Sequence, residues 1–352
     1  MASLEDDIDS KIGEVRTDTI DFSVGEIASL HSNKELVIQP EYQRLFRWTP
    51  EQKSRLVESV LLELPIPQIF VIENSDGVFE LIDGLQRVSS LLQFMQPDLL
   101  GLEPFKLQGC DVVSSLNDYS YDDLPLSLRL RLKRSTLKTV VIKRQSKHFL
   151  RYEMFKRLNT GGSDLSPQEI RNCSVRMLGD AGVQFYGVLT DLAASDSFVA
   201  TTSTLSASDF EQKANEELVL RFFAAKNYRQ NFRGSVRDWL DDYMEAVLLG
   251  QIPFERDREV QDFIGTLRLV HDALGESAFV KFRGNSPLGG LAPAYFEAIA
   301  IGFYESFVRD QAAIPNDARQ RLIDLVQADA FRDVTGPGAN SKTKLEKRIR
   351  LV

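Results

Sequence analysis

The chain has little cysteine: two in 352 residues, Cys110 and Cys173. They show neither the paired spacing of a thiolate metal site nor that of a redox motif, and they give no basis for a disulfide framework. Long apolar runs are missing too. No stretch approaches the roughly 18 residues that a membrane-spanning helix needs. The opening residues, MASLEDDIDS, are acidic and lack the basic-then-apolar layout of a secretory signal. The expectation is a cytoplasmic protein with no membrane partner. A P-loop, G-x-x-x-x-G-K-[ST], is absent as well, so that phosphate cradle is excluded.

Positive charge is in deficit, with Lys+Arg 42 against Asp+Glu 51 and a net charge of -9. That balance weighs against indiscriminate coating of nucleic acid. The deficit is uneven, however. Between Arg129 and Arg151 lie Arg131, Lys133, Arg134, Lys138, Lys143, Arg144 and Lys147, with no acid among them. A second cluster comprises Lys342, Lys344, Lys347, Arg348 and Arg350. Such clusters either meet phosphates or form solvated faces that pair with the acidic surplus elsewhere. Lys133, Arg134, Lys143 and Arg144 are the candidates for a local DNA contact.

Periodicity divides the chain into a mixed first part and a helical second part. A short helix is expected from Val24 to Leu30 and a short strand in ELVIQP (35–40). TPEQKSRLVESVLLEL predicts a helix with Thr49 as N-cap, Pro50 first and Gln52 completing a capping box. Leu56, Val57, Val60, Leu61 and Leu64 fall on one face of it. QIFVIEN and VFELI, joined by NSDG, predict a hairpin. A helix follows that buries Val88, Leu91, Leu92 and Met95, and LKTVVIK (137–143) predicts another strand. Beyond it the patterns are helical, opening with Ser166 as N-cap and Glu169 closing a second capping box. The division is drawn as 1–160 and 161–352, an α+β part followed by an all-helical part.

Three stretches carry polar chemistry that periodicity does not require. In FELIDGLQRVSSLLQF (79–94), a strand-to-helix turn holds Asp83, Gly84, Gln86 and Arg87. Asp83 as N-cap with Gln86 three residues on would account for part of it. Arg87 remains, because a cation in the first helical turn opposes the positive end of the macrodipole. An anion bound at the helix start, or an acid elsewhere in the chain, would answer it. In PEYQRLFRW (40–48), Tyr42, Gln43 and Arg44 suit stacking and phosphate contact, while Trp48 is expected to brace the following helix. In FKRLNTGGSDLSPQEIRNC (155–173), Asn159, Thr160, Gly161 and Gly162 form a loop whose glycines either relieve a turn or let backbone amides approach a ligand.

Together these stretches resemble the N-terminal domain of GmrSD-type (type IV) restriction enzymes, itself related to the ParB and sulfiredoxin fold. The resemblance rests on Tyr42-Gln43-Arg44 with Trp48, Pro65-Ile66-Pro67, Asp83-Gly84-Leu85-Gln86-Arg87, and Phe155 with Asn159-Thr160-Gly161-Gly162, Leu165-Ser166 and Glu169-Ile170-Arg171. It spans about residues 20–245. Leu85 stands where that family usually has Gln. The family implies a ParB/sulfiredoxin-like domain with a small mixed sheet. It also implies nucleotide binding and hydrolysis in anti-phage defence, using Mg²⁺ with ATP or GTP. Carried onto this chain, Asp83 would orient a water, while Arg87 and Arg44 would stabilise phosphoryl charge. Tyr42, Gln43, Gly84, Gln86, Asn159, Thr160 and Gly161 would surround the nucleotide.

Larger relatives carry an HNH nuclease domain with clustered histidines. Here His31, His148 and His271 are scattered, so a separately encoded nuclease is the expected partner. Two alternatives stay open: a non-catalytic DNA- or protein-binding module that restrains a nuclease, and a ParB-like DNA-nicking enzyme.

Overall fold

A mixed five-stranded sheet organises the first half of a computed structural model that describes residues 16–38, 48–74, 76–143, 166–175 and 179–352. Its strands are β1 (Thr17–Ser23), β2 (Leu36–Val37), β3 (Ile69–Glu73), β4 (Phe79–Asp83) and β5 (Thr136–Ile142). They lie side by side in the order β1-β5-β3-β4-β2. The expected β3–β4 hairpin is antiparallel, and β1 runs antiparallel to β5. The β3/β5 and β2/β4 pairs are parallel. Ile69 to Ile72 are all buried, as a central strand covered on both faces requires.

Four helices pack with this sheet: α1 (Val24–Ser32), α2 (Pro50–Leu61), α3 (Leu85–Met95) and α4 (Leu126–Arg134). The capping box of α2 forms as its sequence dictates. Thr49 N–H donates to Gln52 Oε1 at 2.9 Å, and Gln52 N–H donates to Thr49 Oγ1 at 3.4 Å. Leu56, Val57, Val60 and Leu61 are buried. Leu64 departs from the expectation: the helix stops at Leu61, and Leu64 is 49% exposed in the proline-bounded exit. In α3, Val88, Leu91, Leu92 and Met95 are buried, each contributing about 1.5–3 kcal/mol relative to exposure.

Contacts group the chain into two units, Met1–Ser163 and Asp164–Val352. The second comprises α5 (Pro167–Val175), α6 (Asp180–Ala193), α7 (Asp196–Thr201), α8 (Ala207–Glu211), α9 (Ala214–Asn227), α10 (Val236–Leu248), α11 (Arg256–Leu274), α12 (Pro293–Phe303), α13 (Ala318–Gln327), α14 (Asp329–Thr335) and α15 (Lys342–Arg350). Ser166 and Glu169 form the expected box at the start of α5. Phe222, Phe223, Trp239 and Tyr243 are core. α13 and α14 are separate helices because Ala328 adopts an extended conformation between them.

The second unit is not all-helical. β6 (Lys281–Arg283) and β7 (Ser286–Leu288) form a hairpin joined by Gly284 and Asn285. Gly284 has φ +56°, and it stands where a two-residue turn of the II′ kind needs glycine. Among the described residues no helix is long and apolar enough to cross a membrane.

Candidate functional site

Asp83 is the last residue of β4, and α3 begins two residues later at Leu85. The cap between them is Gly84, at φ 94°, so Asp83 is not the N-cap and α3 has no side-chain cap. Gly84 is required by packing as well as by its backbone. A Cβ there would lie 2.3 Å from Ile69 Cγ2 and 3.2 Å from Arg87 Nη2. The glycine therefore lets β3 and the arginine close over the turn. Opposite Asp83, the β3–β4 ladder shifts register between Phe70 and Val71. Such an irregularity re-aims the facing side chain.

That side chain meets Arg87. Arg87 Nη2 donates to Asp83 Oδ2 at 2.7 Å and to the Gln68 carbonyl at 3.2 Å. Both side chains are largely shielded, at 18% exposure for Arg87 and 30% for Asp83. The acid that answers the misplaced cation thus lies within the motif, four residues before it. A donor is left over: among the described residues, the buried Arg87 Nε has no hydrogen-bond partner. A buried guanidinium N–H without an acceptor is costly, and an acceptor supplied by a ligand would relieve it.

Gln86 turns toward the neighbouring helix. Its Oε1 accepts from the Trp48 N–H at 3.3 Å, which joins the end of the 40–48 stretch to the start of α3. Two turns further along α3, Lys53 donates to Gln93 Oε1 at 2.9 Å. Burial pushes the Lys53 ammonium below its ordinary value. Its position on α2 opposite the buried Gln93 marks Lys53.

The rest of the expected nucleotide set, Tyr42, Gln43, Arg44, Asn159, Thr160 and Gly161, lies outside the described residues, as does Arg144 of the DNA set. Lys133 and Arg134 are exposed on α4. The Lys133 stem packs where a Cβ on Gly25 would sit, and Arg134 lines a cavity of about 700 Å³ with Glu63, Leu64 and Arg131. Lys143 stands past the other end of β5, about 20 Å away along the strand. Its Nζ is 3.5 Å from Asp18 and 3.9 Å from Glu73. These cations do not form one patch.

Two sets of buried polar groups went unread in the sequence. Glu58 accepts from the backbone N–H groups of Val112 and Val113 at 3.0 and 2.6 Å, pinning a loop to α2. In the second unit, Arg171 is buried and donates to Asp241 at 2.7 Å and Glu217 at 3.0 Å. A motif arginine there acts within a helix-to-helix ion pair.

Residues 25–176 match the family model of the GmrSD restriction endonuclease, N-terminal domain, the family that the sequence motifs resemble. The matched stretch contains β2 to β5, α2 to α4 and all but the first residue of α1, and it ends after α5. No curated protein and no solved structure matches the chain.

Proposed function

We propose that the matched region is a nucleotide-binding, NTP-hydrolysing sensor of a restriction-like anti-phage defence system, working with a separately encoded nuclease in the cytoplasm. The domain match supports the restriction setting. The small mixed sheet with its strand-to-helix turn supports a ParB/sulfiredoxin-like relationship. One observation carries the chemistry: Arg87 is fixed by Asp83 and the Gln68 carbonyl at an uncapped helix start, with its Nε–H buried and, among the described residues, unpaired. A fixed guanidinium beside a helix N-terminus suits a phosphate.

In this reading Asp83 orients Arg87, and Arg87 and Arg44 neutralise phosphoryl charge. Tyr42, Gln43, Gln86, Asn159, Thr160 and Gly161 enclose the nucleotide. Among the described residues no three His, Cys, Asp or Glu side chains converge as metal ligands. Mg²⁺ therefore fits as a companion of the nucleotide's phosphates, with Asp83 as a single protein carboxylate. When bound, the ion would supply neutralisation of phosphate charge.

The test is phosphate release from ATP and GTP with Mg²⁺, in the parent and in Asp83→Ala and Arg87→Ala, with folding followed by circular dichroism. Folded variants are expected to lose about 100-fold or more in turnover. A parent that turns over neither nucleotide rejects the enzymatic reading.

A second reading has its own support. The 2.7 Å Asp83–Arg87 pair neutralises the arginine without any ligand, as in a non-catalytic module that restrains a nuclease. DNA binding that depends on Lys133 and Arg134, without turnover, would favour it.

A further inference from the structure

The β6–β7 hairpin and the ends of α12, α13 and α14 enclose a cavity of about 420 Å³ far along the chain from the matched domain. Among the described residues its lining includes Lys281, Arg283 and Arg332, and no acid. Among the described residues neither Lys281 nor Arg283 has a carboxylate within ion-pair distance. Arg332 has one, the exposed Asp329, at 3.7 Å. In a chain of net charge -9, three cations around one acid-free hollow are a local reversal of sign.

The hollow is built, not incidental. Gln327, on α13, clamps the hairpin turn with both ends of its amide. Gly284 N–H donates to Gln327 Oε1 at 2.8 Å, and Gln327 Nε2 donates to the Gly284 carbonyl at 3.1 Å. Phe282 is buried beneath the ribbon while Lys281 and Arg283 are exposed on either side of it in sequence. The two cations therefore share one face, about 6.6 Å apart along the strand. That separation suits neighbouring phosphates on one nucleic-acid strand. Tyr295 is buried in the lining, on the first turn of α12, whose start has no side-chain cap and no acid. Burial pushes its phenol up, against a hydrogen bond with the Thr335 side chain, another residue of the lining.

We propose that this hairpin-and-cavity face binds the phosphodiester backbone of nucleic acid, with Lys281, Arg283 and Arg332 as its phosphate contacts. The cations are exposed, two along the ribbon and Arg332 on α14 across the hollow, which suits a strand of successive phosphates better than a single small anion. Backbone contacts of this kind hold and orient a nucleic acid without reading its sequence. The site is independent of the nucleotide reading above and uses none of its residues.

The experiment is fluorescence anisotropy of labelled duplex and single-stranded oligonucleotides with the full chain, across a salt series. The variants are Lys281→Gln/Arg283→Gln and Arg332→Gln, with Arg258→Gln as an exposed control in the same unit. The parent is expected to bind, and the double variant to weaken binding at least about tenfold. The salt slope should fall by about 0.9 per removed contact on duplex and about 0.7 on single strands. The control should bind like the parent. Unchanged affinity and slope in both test variants would overturn the proposal. So would a parent that binds pyrophosphate by calorimetry but no oligonucleotide, since the source would then be a small phosphate. All three replaced side chains are exposed, so matching thermal melts will separate lost contact from lost fold.

Discussion

Gly84 and Arg87 are coupled through space as well as through the chain. The sequence marked Arg87 as out of place in a first helical turn, and that physical argument holds: it is matched by a carboxylate four residues earlier. What the sequence did not reveal is that Gly84 is shut in by Ile69. A close approach of backbone to ligand and a close approach of strand to helix start demand the same residue, and only the folded packing distinguishes them. Gly84→Ala must therefore place a Cβ 2.3 Å from Ile69 Cγ2 at a φ of +94°. The two penalties, left-handed backbone and overpacking, together amount to about 2–4 kcal/mol. A urea midpoint lowered by that cost divided by the m-value is expected, before any ligand is added. A midpoint equal to the parent's would show that the turn can relax.

Elements were legible where a terminus writes itself into local sequence. Thr49, Pro50 and Gln52 announce α2, and Ser166 and Glu169 announce α5, because a capping box needs only residues three apart. Thr49→Ala is accordingly expected to cost about 1 kcal/mol, read as a lower thermal midpoint of the N-terminal unit, with Gln52→Ala no worse. A loss close to zero would mean that tertiary packing alone holds the helix start. β1 was missed because TDTIDFS is an edge strand, with Thr and Asp exposed along most of its length. Its pattern is that of a solvated loop, and its partner β5 lies more than 100 residues on. The β6–β7 hairpin differs. VKFRGNSPL does alternate and does carry a Gly-Asn turn, so its signal was present but short.

At the scale of the molecule, the second unit is threaded by a line of charges that no local pattern encodes. Asp241 pairs with Arg171, Arg171 with Glu217, Glu217 with Arg221, Arg221 with Glu297, and Glu297 with Arg348. The line crosses α10, α5, α9, α12 and α15. Only Glu217–Arg221, four apart on one helix, was readable in advance. Arg348, one of the basic residues near the chain's end, is buried rather than solvated. Removing one member leaves its partners' charges buried without compensation, at a cost of about 3–5 kcal/mol. Glu217 makes the argument testable by pH. Burial raises its pKa, but Arg221 and Arg171 outweigh burial and hold the carboxyl below its ordinary 4.5. Its folded-state affinity for a proton is thus lower than its unfolded one. The stability it contributes is fully present above that ordinary value and is lost as pH falls through the depressed one. Glu217→Gln should be much less stable than the parent at neutral pH, and the gap should close as pH falls below about 4. Thermal midpoints of both chains across an acid series would read this out. Two curves that stay parallel through the carboxylate range would mean that Glu217 contributes by hydrogen bonding alone, and that its charge does not hold α9 to α5.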